Sequence, residues 1–268
     1  MADLEWRVIC LEHDEPSVAI SDFFQRVFTG IEKRELIVKN PIKKDELKKY
    51  LERLIIPGDK KLFFTLGHSI SHHYTYGFTT NFANKLSERY AYVHIDAHHD
   101  FHTSESGLLG CGHFVSGIIK DSAPNIEIEP LLIGVSPNEI KNIKQIDSSN
   151  KSKYRILIMH LQTLPSDVYI SIDVDVLDKR LIHTGYKNQQ GDMKLTELFS
   201  ILGIIKKRKR IIGADIVGSS CSEDIQGHFI YAYLTAYIIG LDIKGLEEKR
   251  KSYPEMSLDY FNLKKFFN

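Results

Sequence analysis

Apolar stretches of five to eight residues alternate along this chain with longer segments of helical periodicity, and this alternation limits the fold more than any other feature. Strands that alternate with helices belong to a parallel sheet with helices packed on both faces. The predicted strands are Arg7–Leu11, Leu62–Leu66, Tyr90–Ile95, Pro130–Val135, Arg155–Met159, Val168–Val174 and Arg210–Val217. The predicted helices are Val18–Phe28, Lys44–Leu54, Ser69–Leu86, His113–Lys120, Leu195–Lys207 and His228–Ile239. The sequence therefore predicts a three-layer α/β/α fold with a mostly parallel central sheet.

Composition narrows the class of protein further. The chain has 268 residues, 43% of them hydrophobic, so we expect one domain spanning residues 1–268. Its 35 basic residues balance 35 acidic ones, which gives no net field towards nucleic acid or an anionic membrane. The sequence shows no signal peptide and no apolar run of transmembrane length. The three cysteines, Cys10, Cys111 and Cys221, are odd in number and widely spaced, which favours a reducing compartment, and we expect the cytoplasm.

Two of the predicted strands end in clusters of aspartate and histidine. His94–Asp100 has the sequence His-Ile-Asp-Ala-His-His-Asp, and Ser171–Asp178 has the sequence Ser-Ile-Asp-Val-Asp-Val-Leu-Asp. On an extended chain, residues two apart point to the same side. The side chains that can converge in this way are Asp96, His98 and Asp100 in the first cluster and Asp173 and Asp175 in the second.

One such cluster alone is most often a turn or a helix cap. Two clusters at the ends of parallel strands, with His68 after a third strand, predict a metal site, because ligands bind at the carboxyl ends of such strands. Charged groups at the end of a buried strand are costly unless a cation compensates them. Mixed Asp and His ligands without Cys suit Mn, Fe or Zn better than Ca or Mg.

These motifs resemble those of the arginase and agmatinase superfamily, the manganese ureohydrolases. Asp96–Asp100 resembles the Asp-Ala-His-x-Asp motif of that family, and Ser171–Asp178 resembles its Ser-x-Asp-x-Asp-x-x-Asp motif. Leu66–Ser69 is similar to a degraded Gly-Gly-Asp-His-Ser motif, in which the His binds metal. The resemblance runs from about Leu62 to Gly240 in the same order, although the chain is short for the family. It implies an arginase-like fold.

The resemblance also implies a site with two Mn²⁺ ions. One ion would be held by His68, Asp96, Asp100 and Asp173, and the other by Asp96, His98, Asp173 and Asp175. Two adjacent dications lower the pKa of a shared water, so that a bridging hydroxide exists near neutral pH and can attack a guanidino carbon. Asp100, beside that hydroxide, would take its proton. The expected reaction is hydrolysis of a guanidino group with release of urea.

Protonation of the leaving amine needs a group that titrates near neutral pH, and His is the usual choice. Members of the family have a His thirteen residues after the last Asp of the first motif, and His113 lies at that spacing. We expect His113 to be the proton shuttle, against the alternative of an ordinary histidine at a helix start. The flanking histidines are expected to support ligands or to lie on the surface: His72, His73, His94, His99 and His102. Of these, His94 could orient a ligand through a hydrogen bond.

Departures from the family pattern concern the substrate. Where arginases carry Asn and Ser groups that hold the α-carboxylate of free arginine, this chain has His102, Leu109 and Cys111. Where arginases place a Glu that pairs with the guanidinium, it has Gly218. A cationic substrate still needs a carboxylate nearby, and we expect Glu223 to supply it, with a helix-capping role as the alternative.

A pocket without a carboxylate clamp suits arginine within a peptide, and the chain resembles the peptide arginases, which convert arginine to ornithine in ribosomally made precursor peptides. Agmatine or another small guanidino compound is the alternative substrate. Two further readings stay open: a deacetylase-like zinc hydrolase with one metal, and a non-catalytic protein that retained the metals. Association into a homo-oligomer and the role of the acidic segment Glu12–Glu15, a substrate rim or a helix cap, are also left open by the sequence.

Overall fold

The computed structural model describes residues 6–35, 42–56, 59–68, 71–102, 108–121, 126–135, 143–147, 149–184, 190–254, 263 and 265–267. The strands are β1 (Trp6–Glu12), β2 (Ile31–Glu35), β3 (Ile42–Lys43), β4 (Lys61–His68), β5 (Arg89–Ile95), β6 (Leu108–Leu109), β7 (Glu127–Ile133), β8 (Lys144–Ile146), β9 (Asp167–Asp173) and β10 (Arg210–Gly218). The helices are α1 (Glu15–Val27), α2 (Lys44–Glu52), α3 (Tyr74–Phe78), α4 (Asn84–Leu86), α5 (Phe114–Lys120), α6 (Lys153–Thr163), α7 (Leu195–Arg208), α8 (Ile225–Ile239) and α9 (Lys244–Arg250). A π-helical segment, Thr79–Ala83, joins α3 to α4, and a 3₁₀ turn, Val174–Val176, follows β9.

Eight of these strands form one sheet in the order β2-β1-β4-β10-β9-β5-β7-β8. Every pairing within it is parallel. The remaining two strands, β3 and β6, form a short antiparallel pair beside it. The predicted α/β class with a parallel central sheet is therefore confirmed.

The sheet buries an apolar core on each face. One core contains side chains of α1, α6, α7 and α8, and the other contains side chains of α2, α3 and α5. Strands β9 and β5 at the centre are buried along almost their whole length, as expected for strands that are covered on both faces. Their carboxyl ends emerge at one edge, together with those of β4 and β10, and this edge carries the predicted metal ligands.

The sequence prediction of a strand at Arg155–Met159 is wrong, because this segment lies within helix α6. The short apolar run has the length of a strand, but its burial follows a helical period. Leu157 and Leu161, four residues apart, are buried, whereas Met159 is 56% exposed. Residues at this spacing share one face of a helix, and those two apart do not. The strands β2 and β8 were not predicted, and both lie at the edges of the sheet.

The predicted helix at Ser69–Leu86 is interrupted in the structure. Its described part holds α3, the π-helical segment and α4, and residues 69 and 70 lie outside the described residues. Among the described residues, no helix has both the length and the apolar composition needed to cross a membrane. All three cysteines are described, and no disulfide joins them.

Candidate metal centre

Asp96, the first residue after β5, lies between three imidazoles. Its Oδ2 atom is 3.2 Å from His72 Nδ1 and 3.2 Å from His94 Nε2, and its Oδ1 atom is 3.3 Å from His98 Nδ1. The Asp96 and His94 side chains are fully buried or nearly so, and the His98 side chain is 30% exposed. The buried carboxylate is therefore the centre of the cluster.

The carboxylates of β9 meet the same cluster from the neighbouring strand. Asp175 Oδ2 is 3.0 Å from His98 Nδ1, and Asp173 Oδ2 is 3.6 Å from His72 Nδ1. Asp173 Oδ1 accepts the backbone N–H of Asp175 at 2.9 Å, which fixes the turn after the strand. Asp100 Oδ2 also lies 3.6 Å from His72 Nδ1. Four carboxylates thus converge at the carboxyl ends of two adjacent strands.

Two groups of these side chains could each hold a metal ion. One consists of His72, His94 and Asp96, and the other of Asp96, His98 and Asp175. Within each group, one ligand atom from every residue lies within 4.8 Å of the others. Asp96 belongs to both groups, which is the arrangement expected of a carboxylate that bridges two ions.

The backbone around Asp96 is shaped for this convergence. The Asp96 N–H donates to Ile133 O at 3.0 Å, which extends the pairing of β5 and β7 by one residue. Gly134 follows β7 with φ +102°, and a Cβ atom there would lie 2.6 Å from Asp96 O. A side chain at this position would therefore push the cluster residue away. The chain bends at residues 96–98, directly after β5, and Asp100 has φ +49°, a left-handed conformation that Asp tolerates better than most residues.

Burial and neighbouring charges shift the pKa values of the acids in this cluster in different directions. Burial raises the pKa of Asp100 and Asp173 well above the usual value, and neighbouring carboxylates add to the effect. Burial also raises the pKa of Asp175. For Asp96, burial opposes ionisation, but His94 and His98 hold its pKa well below the usual value. The protein alone therefore does not compensate all four negative charges, and a cation would.

A buried hydrogen-bond chain sets the tautomer of His72. Ser171 Oγ donates to Asp215 Oδ1 at 2.8 Å and lies 2.7 Å from His72 Nε2. Because the single hydroxyl proton of Ser171 is used for Asp215, His72 Nε2 must be the donor to Ser171. Thr75 and Tyr169 donate to the same Asp215 carboxylate, at 3.0 and 2.8 Å. His72 Nδ1 is therefore left as a lone pair directed at the acids.

This tautomer provides a test of whether the residues fit a metal. His72 Nδ1 and Asp96 Oδ2 are both acceptors, yet they lie 3.2 Å apart. Neither atom, nor Asp175 Oδ2, has a hydrogen-bond partner among the described residues, although all three are buried. Two lone pairs at this distance repel each other unless a cation lies between them. The donor set therefore fits divalent metal ions.

The structure brings together five of the six predicted metal ligands: Asp96, His98, Asp100, Asp173 and Asp175. The exception is His68, the last residue of β4. Its backbone N–H donates to Asp14 Oδ2 at 3.2 Å, while His72, in the turn after β4, makes the contacts with the acids. His72 is therefore proposed as a ligand on the basis of these contacts, and the role of His68 as a ligand stays a prediction.

Sequence analysis had placed His72 among the flanking histidines. The signal that could have identified it is its position at the start of a buried helical segment, where a polar ring needs a specific partner. His94 does contact the ligand Asp96, as expected.

The predicted proton shuttle lies at the rim of the cluster. His113 directly precedes α5, and its ring centroid is 6.1 Å from that of His102, which in turn lies 4.6 Å from His99. Cys111 lies in the neighbourhood of Asp100. Leu109, by contrast, is 1% exposed and packs in the core beside Gly117, so it does not line the rim.

The role of Glu223, predicted to face the substrate, stays a prediction. Glu223 is exposed in the loop before α8. The adjacent Asp224 is committed to the fold, since it accepts the N–H groups of Gly227 at 2.9 Å and His183 at 2.8 Å. Gly218 occupies the position at which the family resemblance places a Glu. Its φ is +122°, and a Cβ atom there would lie 2.2 Å from Asp173 Oδ1.

The parallel sheet and the buried Asp and His cluster at its carboxyl edge define a class of α/β protein with a candidate dinuclear metal centre. The Arginase family model matches residues 37–240, and the chain belongs to this family. A curated relative, named agmatinase, from Pyrococcus horikoshii is 25% identical over 170 residues, which cover 60% of this chain and 58% of that protein. The match thus spans less than two thirds of the relative.

Solved structures show the same fold at low sequence identity. The arginase from Bacillus caldovelox has a TM-score of 0.67 and 16% identity, over 89% of this chain and 99% of that chain. A hypothetical agmatinase from Burkholderia thailandensis has a TM-score of 0.67 and 17% identity, over 94% and 89%. The arginase from Entamoeba histolytica, in complex with L-ornithine, has a TM-score of 0.64 and 15% identity, over 88% and 98%.

Proposed function

We propose that the protein is a ureohydrolase that uses two Mn²⁺ ions to hydrolyse the guanidino group of arginine side chains in a peptide, giving ornithine and urea. The observation that carries this proposal is the pair of candidate metal groups that share Asp96. Family membership adds support for hydrolysis of a guanidino C–N bond. The proposed ligands are His72, Asp96, His98, Asp100, Asp173 and Asp175.

When bound, the two ions would lower the pKa of a water held between them and so supply a nucleophile near neutral pH. Asp100 lies next to this position and would accept a hydrogen bond from the attacking water and take its proton. The amine that leaves must gain a proton, and His113 at the rim would deliver it. His94, which contacts Asp96, would hold that carboxylate in place.

The proposal of a peptide substrate rests on the lack of suitable hydrogen-bond donors for an α-carboxylate at Leu109 and Cys111. An α-carboxylate that enters the site loses its water and needs donors in exchange. Leu109 is buried in the core, and Cys111 is a weak donor beside the acid Asp100. An arginine within a peptide presents neutral amides at this position, and the rest of the peptide can add binding energy outside the pocket.

Agmatine is the second candidate substrate, since it also lacks the α-carboxylate. It is favoured by one observation, the similarity to the Pyrococcus horikoshii protein named agmatinase.

The experiment that separates these substrates is a urea assay of the manganese-loaded protein with free arginine, agmatine and arginine-containing peptides. We expect urea from the peptide, with ornithine found at the arginine position by mass spectrometry. Efficient turnover of agmatine with untouched peptides would replace the peptide proposal by the small-guanidine one. Two bound metals without urea from any guanidine would favour the non-catalytic reading, and a single bound zinc would favour the deacetylase-like one.

A further inference from the structure

The proposed function requires a carboxylate near the metal centre for the substrate cation, and the inference that follows rests on that function. The four acids of the cluster would be engaged by the metal ions of the proposed function. Gly218 has no side chain, so the negative charge must come from another strand end. Asp14, two residues after β1, is positioned to supply it.

The other acids near this edge differ from Asp14 in their partners or their exposure. Glu12 lies 3.1 Å from Lys33 Nζ, on the neighbouring strand β2. Glu15 accepts a hydrogen bond from Ser222 Oγ at 3.0 Å. Asp224 is 7% exposed and accepts a backbone N–H on each carboxylate oxygen, whereas the Asp14 side chain is 26% exposed. Asp14 thus offers an accessible carboxylate where Asp224 does not, and Glu223 stays the alternative partner.

The Asp14 carboxylate is held in place by hydrogen bonds but can still accept another one. Its Oδ1 accepts the Ser17 N–H at 2.8 Å, and its Oδ2 accepts the His68 N–H at 3.2 Å and lies 3.2 Å from His13 Nε2. A carboxylate has about four acceptor positions, so one is left for a further donor. The side chain is 26% exposed, which makes that position accessible.

The carboxylate is also ionised. Burial alone would raise the pKa of Asp14, but His13 and the backbone N–H groups of Ser17 and His68 hold it below the usual value. Burial lowers the pKa of the neighbouring His68, so this ring is neutral near pH 7 and does not cancel the charge.

Asp14 and the metal centre approach each other across two strand ends. A Cβ atom at Gly67 of β4 would lie 2.2 Å from Asp14 Oδ1, just as one at Gly218 of β10 would lie 2.2 Å from Asp173 Oδ1. These two strands are neighbours, about 4.8 Å apart as in any sheet. Tyr231, whose hydroxyl accepts the Ser219 N–H, has a pKa that burial raises and that the charges of Asp173 and Asp14 raise further. Its hydroxyl thus lies within the field of both acids.

We propose that Asp14 is the carboxylate that pairs with the substrate guanidinium, in place of the residue that is missing at Gly218. The cation would lie between Asp14 and the metal centre, with one guanidinium N–H donating to the remaining acceptor position. In this arrangement, the segment before α1 both caps the helix and recognises the substrate.

The test compares Asp14→Asn with Asp224→Asn. Each aspartate is the N-cap of its helix and accepts two backbone N–H groups, one on each carboxylate oxygen, so both variants lose one charge and one acceptor. Asn is as good an N-cap as Asp, so both should fold. The dissociation constant of guanidinium chloride for the manganese-loaded protein is measured by NMR titration, alongside that of urea, a neutral molecule of the same shape.

Asp14→Asn should weaken guanidinium binding about tenfold or more and leave urea binding and metal content unchanged. Asp224→Asn should leave all three unchanged. The value of kcat/KM should fall about tenfold or more for every guanidino substrate. If the binding of urea and of guanidinium were weakened equally, Asp14 would have only a structural role. Unchanged binding of both would overturn the proposal. A loss confined to agmatine would assign Asp14 to the distal ammonium instead. Because binding is measured directly, a wild-type protein without urea release would count against the proposed function alone.

Discussion

At the scale of single residues, the metal centre depends on groups that never touch a metal. Asp215 is fully buried, and burial raises its pKa to about 7 against the opposing effect of three hydroxyl donors. Through Ser171 it holds His72 in the tautomer with its Nδ1 lone pair directed at Asp96. Partners of this kind orient ligands and tune their basicity.

We predict that Asp215→Asn weakens manganese binding without removing any ligand. The Asn side chain has one acceptor oxygen where Asp215 has two, so it cannot accept hydrogen bonds from all three hydroxyl groups. Ser171 and His72 therefore lose their fixed orientation. Metal affinity should fall about 10–100-fold, as is typical for such partners. Titration of the metal-free protein with Mn²⁺ measures this, and Tyr169→Phe, which removes only the bond to Asp215 Oδ2, should have a smaller effect. Full affinity in Asp215→Asn would show that His72 is oriented by other contacts.

The rim makes a separate prediction for His113. His113→Asn should keep both metals, because the ring makes no contact with the acids among the described residues. Turnover should fall by about 10²–10⁴-fold, the usual contribution of a general acid or base. Steady-state kinetics from about pH 6 to pH 9, with the metal content determined on the same samples, test this. Wild-type turnover across that range would transfer the role to His102, the neighbouring ring.

At the scale of secondary-structure elements, strands were easier to predict than the turns that follow them. The ends of β5 and β9 were found because buried apolar runs stop abruptly at Asp and His. The choice between His68 and His72 could not be made in this way. It depends on how the chain leaves β4, and that path is set by contacts with Asp14 and Ser171 far away in the sequence.

The proposed role of Asp14 in substrate binding could not be predicted from the sequence for the same reason. Its sequence context, Asp-x-x-Ser before an amphipathic segment, is that of a helix cap, and the structure confirms the capping box. Only the pairing of β1 with β4 brings it beside the carboxyl end of β4, where its carboxylate accepts the His68 N–H. Local patterns therefore revealed most of the candidate ligands, and long-range packing decided the rest.

Helix α6 supplies a prediction that separates the two interpretations of its apolar run. In a strand, Leu157 and Met159 would share the buried face, whereas in a helix Leu157 is joined by Leu161. Leu161→Ala should therefore lower the free energy of unfolding by about 2–5 kcal/mol. Met159→Ala should change it by less than about 0.5 kcal/mol, since the side chain is 56% exposed. Chemical denaturation of both variants decides the matter, and a large loss in Met159→Ala would restore the strand interpretation.

At the scale of the whole molecule, the buried acids link stability to pH and to metal. The pKa values of Asp100, Asp173 and Asp175 are raised by burial, that of Asp175 to about 7. Such groups stabilise the fold below their unfolded pKa of about 4, and this contribution is lost as pH rises through the folded value. Asp96, with a lowered pKa, acts in the opposite direction. The effect of Asp96 falls at pH values below its unfolded pKa of about 4, and Asp215, whose pKa burial also raises to about 7, acts with the other three. The stability of the metal-free protein should therefore fall as the pH rises from about 4 to about 8.

Manganese should reverse this trend, because ligands bind metal in their deprotonated form. We predict that the rise in thermal midpoint on adding Mn²⁺ is larger at about pH 8 than at about pH 5.5. Calorimetry with Mn²⁺ or with a chelator at each pH measures it. The variant Asp178→Asn, which alters an acid outside the cluster, should show the same pH trend as the wild type. A metal effect that did not vary with pH would argue against these carboxylates as ligands.

The glycine at the end of β10 also restricts how this sequence can change. Its backbone angle φ of +122° disfavours any side chain, and a Cβ atom would collide with Asp173 Oδ1. Introducing Glu at Gly218 would therefore displace a proposed metal ligand before it could offer a new carboxylate. A single Gly218→Glu substitution is therefore expected to disturb Asp173 rather than to supply a working guanidinium partner, and the strand end would have to be rebuilt at the same time.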